Sequence, residues 1–256
     1  MEADADADVG QSGASGWIES ALSMVFPGVC GVCGLKRAGA ADGYVCRDCS
    51  EAPGHVRWIR PPWCGRCGLP FDGDIHGEFT CANCEGLDLG FDWARASVIA
   101  TPFVLDLVHR FKYGGRRWHA AYLESLLVRQ AASALAGGGW DGLVPVPLHP
   151  LREREREFNQ AEVLATGLSR ATGLALRRRW VIRVAATRVQ ASLDRRERSK
   201  NVRGAFRVPE PGRVGGGRFV VVDDVLTTGA TTSAVAGALK EAGAREVVVW
   251  TLARGA

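Results

Sequence analysis

All eight cysteines of this 256-residue chain lie between Cys30 and Cys84, in four Cys-x-x-Cys pairs: Cys30 and Cys33, Cys46 and Cys49, Cys64 and Cys67, Cys81 and Cys84. No other feature restricts the fold so tightly, because a Cys-x-x-Cys turn aims two sulfurs at one point and two such turns close a tetrahedral four-thiolate site. Twelve residues separate the first two pairs and thirteen the last two, so two similar units are written in tandem. Gly34 and Gly68 follow two of the pairs directly and suit the knuckle turn that lets backbone amides face the sulfurs. The paired-knuckle spacing favours zinc over an iron-sulfur cluster, and a closed four-cysteine site leaves no open coordination position, so two structural ions are expected. Pairing within each unit and an interleaved pairing, first pair with third, use the same residues, and the spacing allows both. His55 and His76 lie between the pairs and read as surface histidines, since eight cysteines already complete two sets.

The cysteine cluster also divides the chain. Residues 1–16 are Asp/Ala-rich, then Gly/Ser-rich, and are expected to form a disordered tail. Trp17, Ile18, Leu22, Val25 and Phe26 fall near helical spacing before Pro27. After about Asp92 the cysteines stop and Ala, Val and Leu rise, which suggests a ribbon region over 17–95 and a second domain over 96–256. No stretch reaches the roughly 18 to 20 apolar residues needed to span a bilayer, and Met1–Asp8 is acidic where a secretory signal is basic. Those features imply a cytoplasmic protein without membrane insertion, where paired cysteines hold metal rather than form disulfides. The net charge of +4 says little about partners, but eleven Lys/Arg fall between Arg177 and Arg207 against only Asp194 and Glu197.

In the second part, Thr101-Pro102 opens a helix whose apolar face is Phe103, Leu107, Val108 and Phe111, with Gly114-Gly115 as its stop. A second helix is expected from about Trp118 to Ala136, then a short strand over Gly142–Val146 and a loop marked by Pro147 and Pro150. In Arg152-Glu-Arg-Glu-Arg-Glu157 the alternation would place like charges at i and i+4 of a helix, so an extended or loop conformation is expected, sending three arginines to one side. Asn159 with Glu162 reads as a capping pair for a helix ending at Gly173. Val181–Val184 reads as a strand and Ala191–Val202 as a mobile loop. Phe219–Val222 is a buried strand, and Asp223-Asp224 fall where it leaves the sheet. Thr227, Thr228 and Thr231 offer hydroxyls, Gly229 allows close backbone approach, and Thr231 or Thr232 caps the next helix, so the stretch suits a sugar phosphate. A helix with Ala234, Val235, Ala238 and Leu239 on one side and the strand Val247–Leu252 complete an alternation that implies a mostly parallel sheet.

Val222–Thr231 resembles the 5-phosphoribosyl-1-pyrophosphate (PRPP) motif of type I phosphoribosyltransferases. With the cysteines, Leu107–Gly114, Val144–Pro150, Phe158-Asn-Gln160 and the series Arg183, Thr187, Gln190, Leu193, Arg198, Asn201, the chain is similar to the ComF (ComFC/GntX-like) family. That resemblance implies an α/β, Rossmann-like phosphoribosyltransferase type I fold with helices on both faces of its sheet, preceded by a double zinc ribbon. It implies that Asp223 and Asp224 approach the ribose hydroxyls as the catalytic pair, and that Thr227, Thr228, Gly229, Ala230 and Thr231 bind the 5-phosphate. Arg152 and Arg156 take the pyrophosphate position; Arg183, Thr187, Gln190, Arg198 and Asn201 belong to the flexible loop that closes the site. Magnesium comes with PRPP. The family further implies a role in DNA uptake and natural transformation, with single-stranded DNA and a helicase-like competence protein as partners. Other readings of the same residues are a non-catalytic DNA-binding or adaptor protein and a nucleotide-salvage phosphoribosyltransferase. In one place the chain departs from the family: Glu157 stands where Arg-Gly-Phe-Asn-Gln has its glycine.

Overall fold

Four parallel strands build the sheet around which everything else is placed. The structure, a computed structural model, describes residues 28–75, 77, 79–113, 116–185 and 204–255. The expected tail, the helix from Trp17, His76, Gly114-Gly115, the whole Ala191–Val202 loop, with Arg198 and Asn201 in it, and Thr187 and Gln190 lie outside them. In chain order the main elements are α1 (Arg47–Glu51), β1 (Ala94–Ile99), α2 (Pro102–Tyr113), α3 (Ala120–Leu135), β2 (Gly142–Pro145), α4 (Pro150–Arg156), α5 (Gln160–Thr172), β3 (Ile182–Arg183), β4 (Phe206–Arg207), β5 (Arg218–Leu226), α6 (Ala230–Glu241) and β6 (Glu246–Arg254).

The sheet runs β1-β6-β5-β2 and is parallel throughout; β3 and β4 form a separate antiparallel pair. Because side chains alternate across a strand, Val220 and Val222 face one side and Phe219 and Val221 the other. Val220 and Val222 meet Leu107 and Phe111 of α2, Leu123 and Leu127 of α3 and Leu164 and Leu168 of α5 in one core. Phe219 and Val221 meet Val235 and Leu239 of α6 in the second. Covering on both faces explains why β5 and β6 read as continuous Val-rich runs. At the β1 edge, Ile59 donates to Ser97 and Ile99 to Arg57, so the cysteine-rich region lies against the sheet.

Three local expectations need correction. β5 does not end at Val222. Its partner β2 stops there, but β6 continues beside it, pairing Asp223 with Thr251 and Leu226 with Arg254. The Asp pair therefore sits past the end of one neighbour while still held by the other. Second, Pro150–Arg156 is helical, not extended. The His149 side chain accepts from Leu151 N (3.3 Å), Pro150 occupies the first turn, and repulsion between exposed like charges costs only about 0.2–0.5 kcal/mol per pair. Helical spacing puts Arg152 and Arg156 on the cleft, but not Arg154. Third, Asn159 caps α5 by accepting from Ala161 N (3.0 Å), whereas Glu162 turns away to Arg178 (2.6 Å). Glu157 ends α4 at φ 64°, a backbone that favours glycine. The helix keeps this turn with a side chain in place, and Arg117 donates to the Glu157 carbonyl (2.9 Å).

Candidate functional site

A cleft of about 330 Å³ opens where β2 stops short of β5. Asp223, Asp224 and the loop after β5 form one wall, while Arg152 and Arg156 of α4 and Arg183 of β3 form the opposite side. Thr227, Thr228, Gly229, Ala230 and Thr231 all line it. Gly229, at φ 77°, is the N-cap of α6 and offers no side-chain cap, so neither Thr231 nor Thr232 serves as the cap expected of them. Thr232 instead donates to the Gly229 carbonyl (3.1 Å), and Thr228 Oγ1 accepts from Ala230 N (3.4 Å). With no side-chain cap at Gly229, the helix N-terminus presents its dipole to the cleft, a setting that favours an anion. Of the expected closing loop, Arg183 alone is described, and it lines the same cleft.

The sequence reading assigned no role to Lys112, Tyr113 or Gln160. From the end of α2, Lys112 Nζ donates to Asp224 at 2.8 Å, with that pair largely buried. Asp223 lies beside it and accepts from Asp224 N (2.9 Å). Burial, then the Asp224 carboxylate, push the Asp223 pKa up to about 7, while the Lys112 ammonium opposes the rise. Arg156 is fixed from two directions: it donates to Gln160 Oε1 (3.0 Å) and to the Tyr113 hydroxyl, and lies over the Tyr113 ring. Gln160 is 2% exposed and its amide NH₂ is buried without a hydrogen-bond partner among the described residues. An unsatisfied donor lining a cleft marks a place where a ligand oxygen would be accommodated. The signal for these residues was present in Leu107–Gly114 and Phe158-Asn-Gln160, but their meeting with Asp224 and Arg156 spans distant parts of the chain.

The cysteines gather as Cys30, Cys33, Cys46 and Cys49 and as Cys64, Cys67, Cys81 and Cys84, the sulfurs of each set within 4.8 Å of one another. That arrangement selects pairing within each unit over the interleaved one. Backbone amides of Lys36 and Leu35 hold the Cys33 thiol down at about 6, which favours the thiolate. Burial and the neighbouring sulfurs push Cys49 up, because four crowded thiolates need a cation between them. Four sulfurs in a closed set fit a structural zinc ion in each unit. Among the described residues no helix is long and apolar enough to cross a membrane.

Residues 21–85 match the double zinc ribbon domain. The chain is 36% identical over 236 residues to DNA utilization protein YhgH of Salmonella typhimurium (strain LT2), covering 90% of this chain and 99% of that protein. It is 32% identical over 204 residues to competence protein F of Haemophilus influenzae, covering 75% and 85%. Among solved structures, the glutamine PRPP amidotransferase from B. subtilis complexed with ADP and GMP is 25% identical over 50% of this chain, with a TM-score of 0.33; this chain covers 25% of that one. By its cysteine tetrads, its parallel sheet and its match to YhgH over 90% of its length, the chain belongs to the ComF family, which includes the DNA utilization protein YhgH and competence protein F.

Proposed function

We propose that the cleft binds PRPP or a related phosphoribosyl ligand, with magnesium carried on the ligand's pyrophosphate, and that the protein is a phosphoribosyltransferase-type component of DNA uptake. The observation that carries this reading is the convergence of Asp223 and Asp224, the Thr227–Thr231 loop, and Arg152 and Arg156 on one cleft. Carboxylates accept from ribose hydroxyls, and the α6 N-terminus with its threonines suits the 5-phosphate. Arg152, Arg156 and Arg183 supply positive charge where pyrophosphate departs. In the transfer, the C1–O bond breaks with its electron pair leaving on pyrophosphate, and a nitrogen nucleophile bonds to C1 and releases its proton to solvent. Positioning and charge stabilisation are the protein's work, so no general base is required. The names of the relatives support the placement in DNA uptake. The basic run from Arg177 to Arg207 suits single-stranded DNA bound with steep salt dependence.

Titration calorimetry with PRPP and magnesium tests the ligand. Wild-type protein should release heat, and Asp223→Asn with Asp224→Asn should lose it. With the Asp223 pKa at about 7, affinity should weaken about tenfold from pH 8 to pH 6 as that carboxylate takes a proton, and Asp223→Asn should flatten the trend. No heat from intact protein, or heat indifferent to the double substitution, would overturn the reading.

A further inference from the structure

We propose that Arg254 is a positioning residue that ties the second cysteine tetrad to the phosphate loop, so that metal held by Cys64, Cys67, Cys81 and Cys84 keeps residues 226–231 in place. The ligand consequence rests on the reading above; the mechanical link does not. Arg254 ends β6 and is 4% exposed. Its guanidinium lies between two loops. On one side Nη1 donates to the carbonyls of Leu226 (2.9 Å) and Thr227 (2.8 Å), and also to Gly255. On the other, Nε donates to the Cys67 carbonyl (3.3 Å) and Nη2 to Cys67 Sγ (3.5 Å).

A buried guanidinium requires compensating charge, and none of these five bonds reaches a carboxylate. Asp72 lines the groove beside Arg254, but among the groups that the guanidinium touches the anion is the cysteine site. Four thiolates around one zinc ion carry a net charge of about −2, and hydrogen bonds to the sulfurs are the usual outer support of such a site. With metal bound, Arg254 is the counter-ion of the second tetrad and its remaining donors fix the two carbonyls that open the phosphate loop. With metal lost, the turn that carries Cys67 is no longer pinned, and Arg254 Nε and Nη2 lose their fixed acceptors. Arg254 also lines a groove shared with Arg57, Phe71 and Gly255. It can turn into that groove toward water and Asp72, leaving the Thr227 carbonyl without the Arg254 donor, while Leu226 keeps Gly255 N (2.9 Å). Among the described residues the first tetrad has no such connection: its neighbouring arginine, Arg110, reaches the Gly31 carbonyl (2.8 Å) and is neutralised by Asp106 (2.8 Å).

The test is hydrogen exchange on the full chain, with zinc content measured beside it. Cys81→Ser with Cys84→Ser should leave one zinc ion and speed exchange of amides 227–231 at least tenfold, while Val220–Val222 in the same strand stay slow. Arg254→Gln should retain two zinc ions and speed the same amides, with Arg254→Lys falling between. Unchanged exchange at 227–231 in either the tetrad variant or Arg254→Gln overturns the proposal. Should the tetrad variant unfold, as fast exchange at Val220–Val222 would report, Arg254→Gln decides alone with the same two outcomes. No ligand enters this measurement, so failure of PRPP to bind wild-type protein would overturn the function above and not this link. If PRPP binds, its affinity should fall about tenfold in both variants.

Discussion

The two cysteine units share one local wiring and differ in what they rest on. Cys30 N donates to Lys36 (2.8 Å) and Cys64 N to Leu69 (2.9 Å); Gly31 N donates to Tyr44 and Gly65 N to Phe79, both at 2.8 Å. Cys46 N donates to Cys30 Sγ and Cys81 N to Cys64 Sγ, both at 3.3 Å. Even the arginine over the knuckle is repeated, Arg110 on Gly31 and Arg95 on Gly65. Yet Cys30, Cys46 and Cys49 belong to the large core with Leu107, Leu123 and Tyr122, whereas Cys64, Cys67 and Cys84 form a small cluster of their own at the sheet edge. Four sulfurs dictate the backbone around them, but the surroundings decide what the loss of the metal would reach. For the first unit that is the helix layer; for the second it is β1 and the loop after β5.

The strongest way to break this contrast is to remove each site in turn. Cys30→Ser with Cys46→Ser places hydroxyls at positions 1% and 5% exposed within the main core and removes a metal whose binding is worth on the order of 10 kcal/mol, comparable to the stability of a whole domain. Scanning calorimetry should show no cooperative transition, or one lowered by more than about 20 °C. Cys81→Ser with Cys84→Ser should keep a cooperative transition, since its cluster stands apart. Equal losses would mean that both units support the fold alike.

A smaller and sharper comparison uses one glycine from each knuckle. Gly34 and Gly68 hold nearly the same backbone, φ 68° and 65°. A Cβ at Gly34 would meet nothing within 4 Å, but at Gly68 it would lie 2.6 Å from the Ala94 carbonyl oxygen of β1. Gly34→Ala should therefore cost about 1 kcal/mol of left-handed strain, and Gly68→Ala that amount plus about 1–3 kcal/mol for pushing the knuckle off the strand. Denaturant unfolding distinguishes them, and an equal cost would show that the second unit is not pressed on the sheet.

What the sequence made legible was whatever sits in one short stretch. The cysteine spacing gave two four-cysteine sites but not which pairs share one, and Phe219–Thr231 gave a strand, two acids and a threonine-rich loop in contiguous order. Contacts between distant stretches were not legible: Lys112 and Asp224 are 112 residues apart, and Cys67 and Arg254 are 187 apart. Arg254 reads as an ordinary basic residue until β6 carries it between two loops. The helix Pro150–Arg156 was misread for a different reason. Charge alternation is a weak term, and the stronger ones, a histidine N-cap and a left-handed glutamate at the C-terminus, involve residue types that seldom fill those places.

The smallest expected effect is a pH dependence that belongs to the first unit alone. His119, fully buried at the start of α3, holds that unit through Nδ1 to the Gly43 carbonyl (2.8 Å), and its Nε2 has no partner among the described residues. Its ring also lies against Gly31, where an added Cβ would come within 3.1 Å of it. Burial presses its pKa below the ordinary 6.5, and Arg110 and Arg116 add to the fall against the Gly43 bond. A proton taken up more readily by the unfolded chain destabilises the fold as pH drops. Stability from this group is thus complete above 6.5 and lost as pH falls from there toward the folded pKa. The second unit is held by Arg95 and Arg254, with no histidine at the matching place among the described residues. As pH falls from 7.5 to 6, Asp223, its pKa raised to about 7, adds stability wherever it is kept, so the His119 contribution is read as a difference: melting should shift less favourably in wild-type protein than in His119→Gln. The Gly68→Ala variant, which loosens only the second unit, should keep the wild-type slope; a flattened slope there would place the pH-sensitive joint on the wrong side of the molecule.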